Sequence, residues 1–277
     1  MVKLDLMELA DFTRPLDIVN EIFKQNPQLG TKTPLESLAE AAGIREIRYE
    51  KLDSLEGALI ANPEKSEGII VINESVIQTR QRFTLGHELG HFLIPRHGNE
   101  MSCSLNDFYL TENKKLSAVQ KIEAEANLFS EEILLPKSKF RATKEFRNEP
   151  STKSILDLSD IFGVSFKACA NRFIKLNDHP VAIVFSKDNV IDYGFRGQEI
   201  PFWLRARKGD PIPSNSLTQL YSGKPQTIVN EEVDSGTWFD NARGYEMPES
   251  LIEEVYIQDN GYAVTLLWFE EVIEEVE

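Results

Sequence analysis

Two of the four histidines stand four residues apart with a glutamate beside the first, in His87-Glu88-Leu89-Gly90-His91. On a helix, residues four apart are offset by about 40° around the axis and about 6 Å along it, so both imidazoles can reach one ion. Neutral imidazoles at about 2.0–2.1 Å suit Zn2+, and Glu88 sits where it can take a proton from a water that the metal acidifies. The spacing predicts metal-assisted hydrolysis, with His87 and His91 as metal ligands and Glu88 as the base. Such a site takes a third protein ligand and keeps a fourth position for water. Glu123-Ala124-Glu125-Ala126-Asn127 offers two candidates. Glu123 has Asn127 one turn later, able to hydrogen-bond a ligand, whereas Glu125 has Phe129; Glu123 is therefore favoured, with Glu125 as the alternative. His97 and Tyr109 are candidate transition-state donors, His97 otherwise reading as an exposed loop residue. Cys103 and Cys169 have no ligand-spaced partner, and Cys169 falls on an apolar helix face.

These residues need helices to present them. Residues 76–93 read as one helix, ended by Pro95, and residues 117–135 as another, with an apolar stripe of Val119, Ile122, Ala126, Phe129 and Ile133 stopped by Pro136. Gly86 and Gly90 each cost about 1 kcal/mol relative to Ala inside a helix, so the pair signals a close approach by another element or by substrate. Upstream, residues 4–25 are helical with a break near Pro15. Thr33-Pro34-Leu35-Glu36 reads as a capping box opening a helix that ends at Gly43. Strand-like segments follow at Glu46–Leu52, Ala58–Ala61 and Gly68–Asn73. The last precedes the histidine helix and is expected to pair with an extended substrate. Beyond a connector at 146–154, two short helices flank Phe162-Gly163-Val164-Ser165. After Pro180 the pattern changes to strands and turns, with a hairpin signal at Asp259-Asn260-Gly261.

The chain has 277 residues, enough for one large domain or two ordinary ones, and its 41% apolar content supports real cores. Its net charge is −15, unevenly spread: residues 179–277 carry 7 basic and 18 acidic side chains, whereas residues 1–178 are near balance. A third so acidic is repelled by phosphate backbones and anionic lipid, which argues against nucleic acid or a membrane as the main partner. Two cysteines make no disulfide framework, and no apolar run approaches the about 20 residues that span a bilayer. The N-terminus is too acidic for a signal peptide, so a cytoplasmic protein is expected. Oligomeric state leaves no signature.

Arg82-Phe83-Thr84-Leu85-Gly86-His87-Glu88-Leu89-Gly90-His91, then Glu123-Ala124-Glu125-Ala126-Asn127-Leu128-Phe129 and Leu134-Leu135-Pro136, resembles the ImmA/IrrE family of zinc metallopeptidases. Leu55-Glu56-Gly57-Ala58-Leu59 and Ile70-Val71-Ile72-Asn73 are similar to that family's upstream pattern. The resemblance implies that His87 and His91 bind zinc, that Glu88 is the catalytic base, and that a glutamate of the second helix completes the site. The Glu123…Asn127 spacing is similar to an arrangement in other zincins whose first glutamate is the ligand. The family's substrates are helix-turn-helix repressors. Many relatives carry an N-terminal DNA-binding domain, for which residues 1–43 show no helix-turn-helix pattern. The radiation-response members carry a helix-turn-helix-like pair and a GAF-like domain after the peptidase.

The expected architecture is α+β. A zincin-like peptidase domain over residues 1–148, with a small antiparallel sheet and helices, precedes a helix-turn-helix-like pair over 149–178. An acidic, β-rich, GAF-like domain follows over 179–277. The expected function is a zinc-dependent endopeptidase that cleaves or inactivates a helix-turn-helix (XRE-type) repressor, derepressing a stress or mobile-element operon. The alternative is a non-proteolytic regulator that binds DNA or sequesters a repressor. Direct nucleic-acid binding is not expected: Lys167, Arg172 and Lys175 line one helix, but they adjoin a domain of net charge −11. The acidic module is instead expected to attract a basic repressor.

Overall fold

The computed structural model describes residues 2–104, 117–270 and 273. They fall into two compact units, Met1–Phe140 with Asp160–Ser165, and Arg141–Ser159 with Phe166–Glu277.

The first unit opens with helices α1 (Leu6–Ala10), α2 (Pro15–Gln25) and α3 (Leu35–Ala42). Proline at the first position of α2 explains the break, because its fixed φ starts a helix and its missing N–H is not needed there. The expected capping box of α3 does not form. Its N-cap is Pro34, without a side-chain bond, and the buried Thr33 hydroxyl donates to the Ile133 carbonyl at 2.8 Å. An interior hydroxyl needs a partner, and the tertiary one wins over the local cap.

Strands β1 (Ile44–Glu50), β2 (Gly57–Ala61) and β3 (Gly68–Asn73) lead into α4 (Gln78–Leu93), followed by β4 (Glu100–Cys103) and α5 (Ala118–Leu134). The sheet order is β1-β3-β2-β4. The expectation of an antiparallel sheet needs correcting, since β1 runs parallel to β3 while β2 pairs antiparallel with both β3 and β4. The β2–β3 hairpin uses one side of β3, and β1 takes the other in the opposite sense. Substrate pairing on β3 is overturned for the same reason, because both of its hydrogen-bonding sides are occupied. Helix α4 packs on β2 and β3 and against α5.

Helices α6 (Lys137–Ala142), α7 (Lys144–Arg147), α8 (Thr152–Phe162) and α9 (Phe166–Leu176) follow. Next come β5 (Val181–Lys187), β6 (Val190–Arg196), β7 (Trp203–Leu204), α10 (Leu217–Leu220), β8 (Thr227–Asp234), β9 (Phe239–Asp240), β10 (Ser250–Ile257) and β11 (Tyr262–Trp268). The second unit is built on an antiparallel sheet of order β6-β5-β11-β10-β8. Asp188 and Asn189 link β5 to β6 with φ of 50° and 63°, the left-handed pair that a tight hairpin requires. Trp238, Phe202, Phe239 and Phe269 are buried in its core. Helix α9 packs on β5 and β6, with Phe166 against Phe185 and the Tyr193 hydroxyl donating to Asn171 Oδ1 at 3.3 Å. No helix among the described residues is long and apolar enough to cross a membrane.

Candidate metal centre

Helix α4 changes character along its length. Its first turns are part-exposed, but Thr84–Phe92 is buried on every side, so its polar side chains lie in the interior. Glycines make that burial possible. A Cβ on Gly86 would meet Ser130 Oγ at 2.6 Å, and one on Gly90 would meet the Phe129 ring at 3.0 Å. The approaching element signalled by the two glycines is therefore α5. On the other side, a Cβ on Gly57 would stand 2.5 Å from Thr84 Cγ2 and 2.8 Å from Glu88 Oε1, so only glycine lets β2 lie against Glu88. The C-terminal carbonyls of α4 are met by Lys65, whose Nζ donates to His91 O and Ile94 O at 2.7 Å and to His97 O at 3.3 Å. A cation there complements the helix dipole, although burial pulls the amine down to about 8.

Four ligand-type side chains converge between α4, α5 and β4: His87, His91, Glu123 and Cys103, all buried. The two Nε2 atoms are 2.9 Å apart. Glu123 Oε2 lies 3.2 Å from His87 Nε2 and 3.5 Å from His91 Nε2. Cys103 Sγ lies 3.2, 3.6 and 3.7 Å from His87 Nε2, His91 Nε2 and Glu123 Oε2. Zinc bonds of about 2.0–2.3 Å put the corners of a tetrahedron about 3.3–3.6 Å apart, so the six separations suit one small ion.

Each imidazole is turned by a partner behind it. His87 Nδ1–H donates to Asn127 Oδ1 at 3.0 Å. Asn127 thus serves His87 rather than Glu123. Behind His91 stands a relay. Glu125 Oε2 accepts from His97 Nε2–H at 3.0 Å, and the bare His97 Nδ1 accepts from His91 Nδ1–H at 3.0 Å. Arg96 Nε holds the same carboxylate at 3.1 Å. Both metal-facing Nε2 atoms are therefore left as lone pairs, the tautomer that a metal ligand needs.

The two glutamates facing the cluster are driven apart electrostatically. Burial pushes Glu88 up to about 8, with the Cys103 thiol near enough to pull it partly back and the Glu123 charge adding to the rise. Neither Glu88 oxygen reaches hydrogen-bond geometry with any described residue. Burial acts on Glu123 in the same sense, but its place beside the His87 and His91 rings outweighs that and brings it down to about 2. One carboxyl is thus a proton acceptor poised near neutrality and the other a fixed anion, a separation suited to acid–base chemistry beside a cation site.

The structure brings His87, Glu88, His91 and Glu123 together, and sets Glu125 behind His97 instead. His97 is 4% exposed, not a loop residue in solvent, and burial pulls its imidazole down to about 4. Both of its nitrogens are engaged, which removes it as a transition-state donor. Tyr109 lies outside the described residues. Cys103 is the group that sequence reasoning missed. Its only available signal was a position shortly after the histidine helix, because a strand pairing carries it into the site.

The family model for Peptidase_M78, IrrE N-terminal-like domain, matches residues 39–173, which contain every residue of this cluster. A Mycobacterium tuberculosis transcriptional regulator of known structure is similar in fold over 95% of this chain and 80% of its own, at 16% identity and a TM-score of 0.57. No curated protein matches the sequence.

Proposed function

We propose that this chain, which belongs through residues 39–173 to the IrrE N-terminal-like peptidase family, is a zinc-dependent endopeptidase acting on a helix-turn-helix repressor. The observation that carries the reading is the buried Glu88 carboxyl, without a hydrogen-bond partner among the described residues, beside two imidazoles whose Nε2 lone pairs converge on Glu123. His87, His91 and Glu123 would hold the ion, and zinc bound there supplies a Lewis acid that also acidifies water. Glu88 accepts the proton of the attacking water and returns it to the amine nitrogen leaving the cut peptide bond. Asn127 and the His97–Glu125 pair hold the imidazoles in place for that exchange. Walls made by β2, α4 and α5 keep the Glu88 proton out of bulk solvent.

The repressor substrate is supported by the family resemblance and by charge, since an acidic second unit complements a basic DNA-reading face. Such a substrate puts the enzyme in the cytoplasm. The rival reading, a regulator that binds DNA or sequesters a repressor, draws support from the regulator name of the structural neighbour. Helix α9 weakens its DNA branch. Arg172 is 5% exposed, and Lys167 Nζ sits 4.6 Å from the centre of the Tyr193 ring, so these cations are spent within the unit.

The test is co-expression with a helix-turn-helix repressor, followed by mass analysis. Wild type is expected to yield two fragments and Glu88→Gln none. Derepression without fragments, retained in Glu88→Gln, would overturn proteolysis in favour of sequestration.

A further inference from the structure

An open hydrolytic centre keeps its fourth corner for water, but here that corner holds a sulfur. We propose that Cys103 is a fourth protein ligand of the resting centre, and that β4 is a built-in stand-in for substrate that keeps the peptidase latent. The inference rests on the metallopeptidase reading of the same site.

Three observations carry it. The first is distance: Cys103 Sγ stands 3.2–3.7 Å from each of the other three ligand atoms, as a tetrahedral fourth ligand must. A thiolate is a good zinc ligand, and four protein ligands make a closed site of the structural kind. The second is the strand that delivers it. Among the described residues β4 is a four-residue edge strand that pairs with β2 alone, in antiparallel register with Cys103 opposite Gly57. The Glu56 N–H donates to the Cys103 carbonyl at 2.9 Å. Gly57 is the residue whose missing Cβ lets β2 touch Glu88. β4 therefore occupies the sheet edge where an extended peptide would pass the base, and it presents a ligand where a scissile carbonyl would sit. The third is Glu88 itself, fully buried and without a hydrogen-bond partner among the described residues.

Opening the centre then requires β4 to leave β2. A strand this short, held on one side, is the weakest of the four in the sheet, and a substrate strand can replace it on the same β2 edge by β-augmentation. The Cys103 thiol would give its proton to solvent on taking up a metal, and would take one back when substrate displaced it.

The experiment replaces zinc by cobalt in the full chain, with Cys103→Ser and Cys103→Ala as variants. The wild type is expected to show a near-ultraviolet thiolate-to-cobalt charge-transfer band that both variants lack. The variants should also yield zinc to a competing chelator at least about tenfold more readily. Acetohydroxamate, a small chelating probe, should shift the visible cobalt bands of the variants at concentrations that leave the wild type unchanged. Stoichiometric cobalt without the charge-transfer band, a band surviving both substitutions, or a wild-type spectrum as responsive to acetohydroxamate as the variants would each overturn the proposal while leaving the peptidase reading intact. A wild type that binds neither zinc nor cobalt, or a His87→Gln variant that binds as tightly as wild type, would overturn the metal centre and this inference with it.

Discussion

Glu88 in the first unit and Glu253 in the second are both 0% exposed, yet the protein treats them in opposite ways. Glu253, on β10, is saturated. Its Oε1 accepts from the Thr218 N–H at 2.8 Å and the Thr218 hydroxyl at 2.7 Å, and its Oε2 accepts from the Leu217 N–H at 3.1 Å and the Trp238 indole at 2.8 Å. Four donors meet one charge, so it fastens α10 and the Trp238 segment to the sheet. Glu88 has no hydrogen-bond partner among the described residues, and burial drives its carboxyl to about 8. A buried carboxylate used as a fastener is fed every donor the fold can supply, whereas the one proposed for proton transfer is left hungry.

The sharpest way to break this contrast is Glu88→Gln. Cleavage of the proposed repressor substrate should fall about 10²–10⁴-fold, the usual worth of a general base, while the melting temperature holds or rises. A melting loss as large as that of a Glu253 variant would show that Glu88 is a fastener too. Next in size is Glu253→Ala, which strands the Leu217, Thr218 and Trp238 donors. It should cost about 3–5 kcal/mol in urea unfolding of the second unit and leave zinc affinity unchanged. Zinc at about 100 times its dissociation constant should add about 2.7 kcal/mol to the first unit, reversed by EDTA. Glu88→Gln should keep that gain and His87→Gln should lose it, which separates the proposed base from the proposed ligands. Smallest is Gly90→Ala. The new Cβ meets Phe129 at about the limit of contact, and the better helix propensity offsets part of the strain. A net loss of about 1–2 kcal/mol is expected by thermal melting, and a gain would show that α5 can yield.

What the chain discloses in one dimension depends on how far apart the cooperating residues are. His87, Glu88 and His91 are read from a single helical turn, and the two hairpins of the second unit from their Asp-Asn and Asn-Gly turns, because both are local geometry. Glu123 was separable from Glu125 through Asn127 on the same helix, although Asn127 turned out to orient His87 instead. Cys103 and His97 were misread because their settings are made elsewhere. The first is carried in by pairing with Gly57, and the second is buried by its bonds to His91 and Glu125. The interior place of β3 was hidden for a related reason, since strand order is set by which neighbours arrive and not by the strand's own residues.

Helix α5 faces α4 through Glu123, Asn127 and Ser130, which meet His91, His87 and the Phe83 carbonyl in turn. That contact line works like a reading frame. Exchanging a letter on its outer side, as at the exposed Lys121, leaves the message intact. Adding or dropping one residue between Glu123 and Ser130 turns everything beyond it by about 100°, so no downstream partner meets its mate. Descendants of this sequence are free to drift in composition along α5, but not in length.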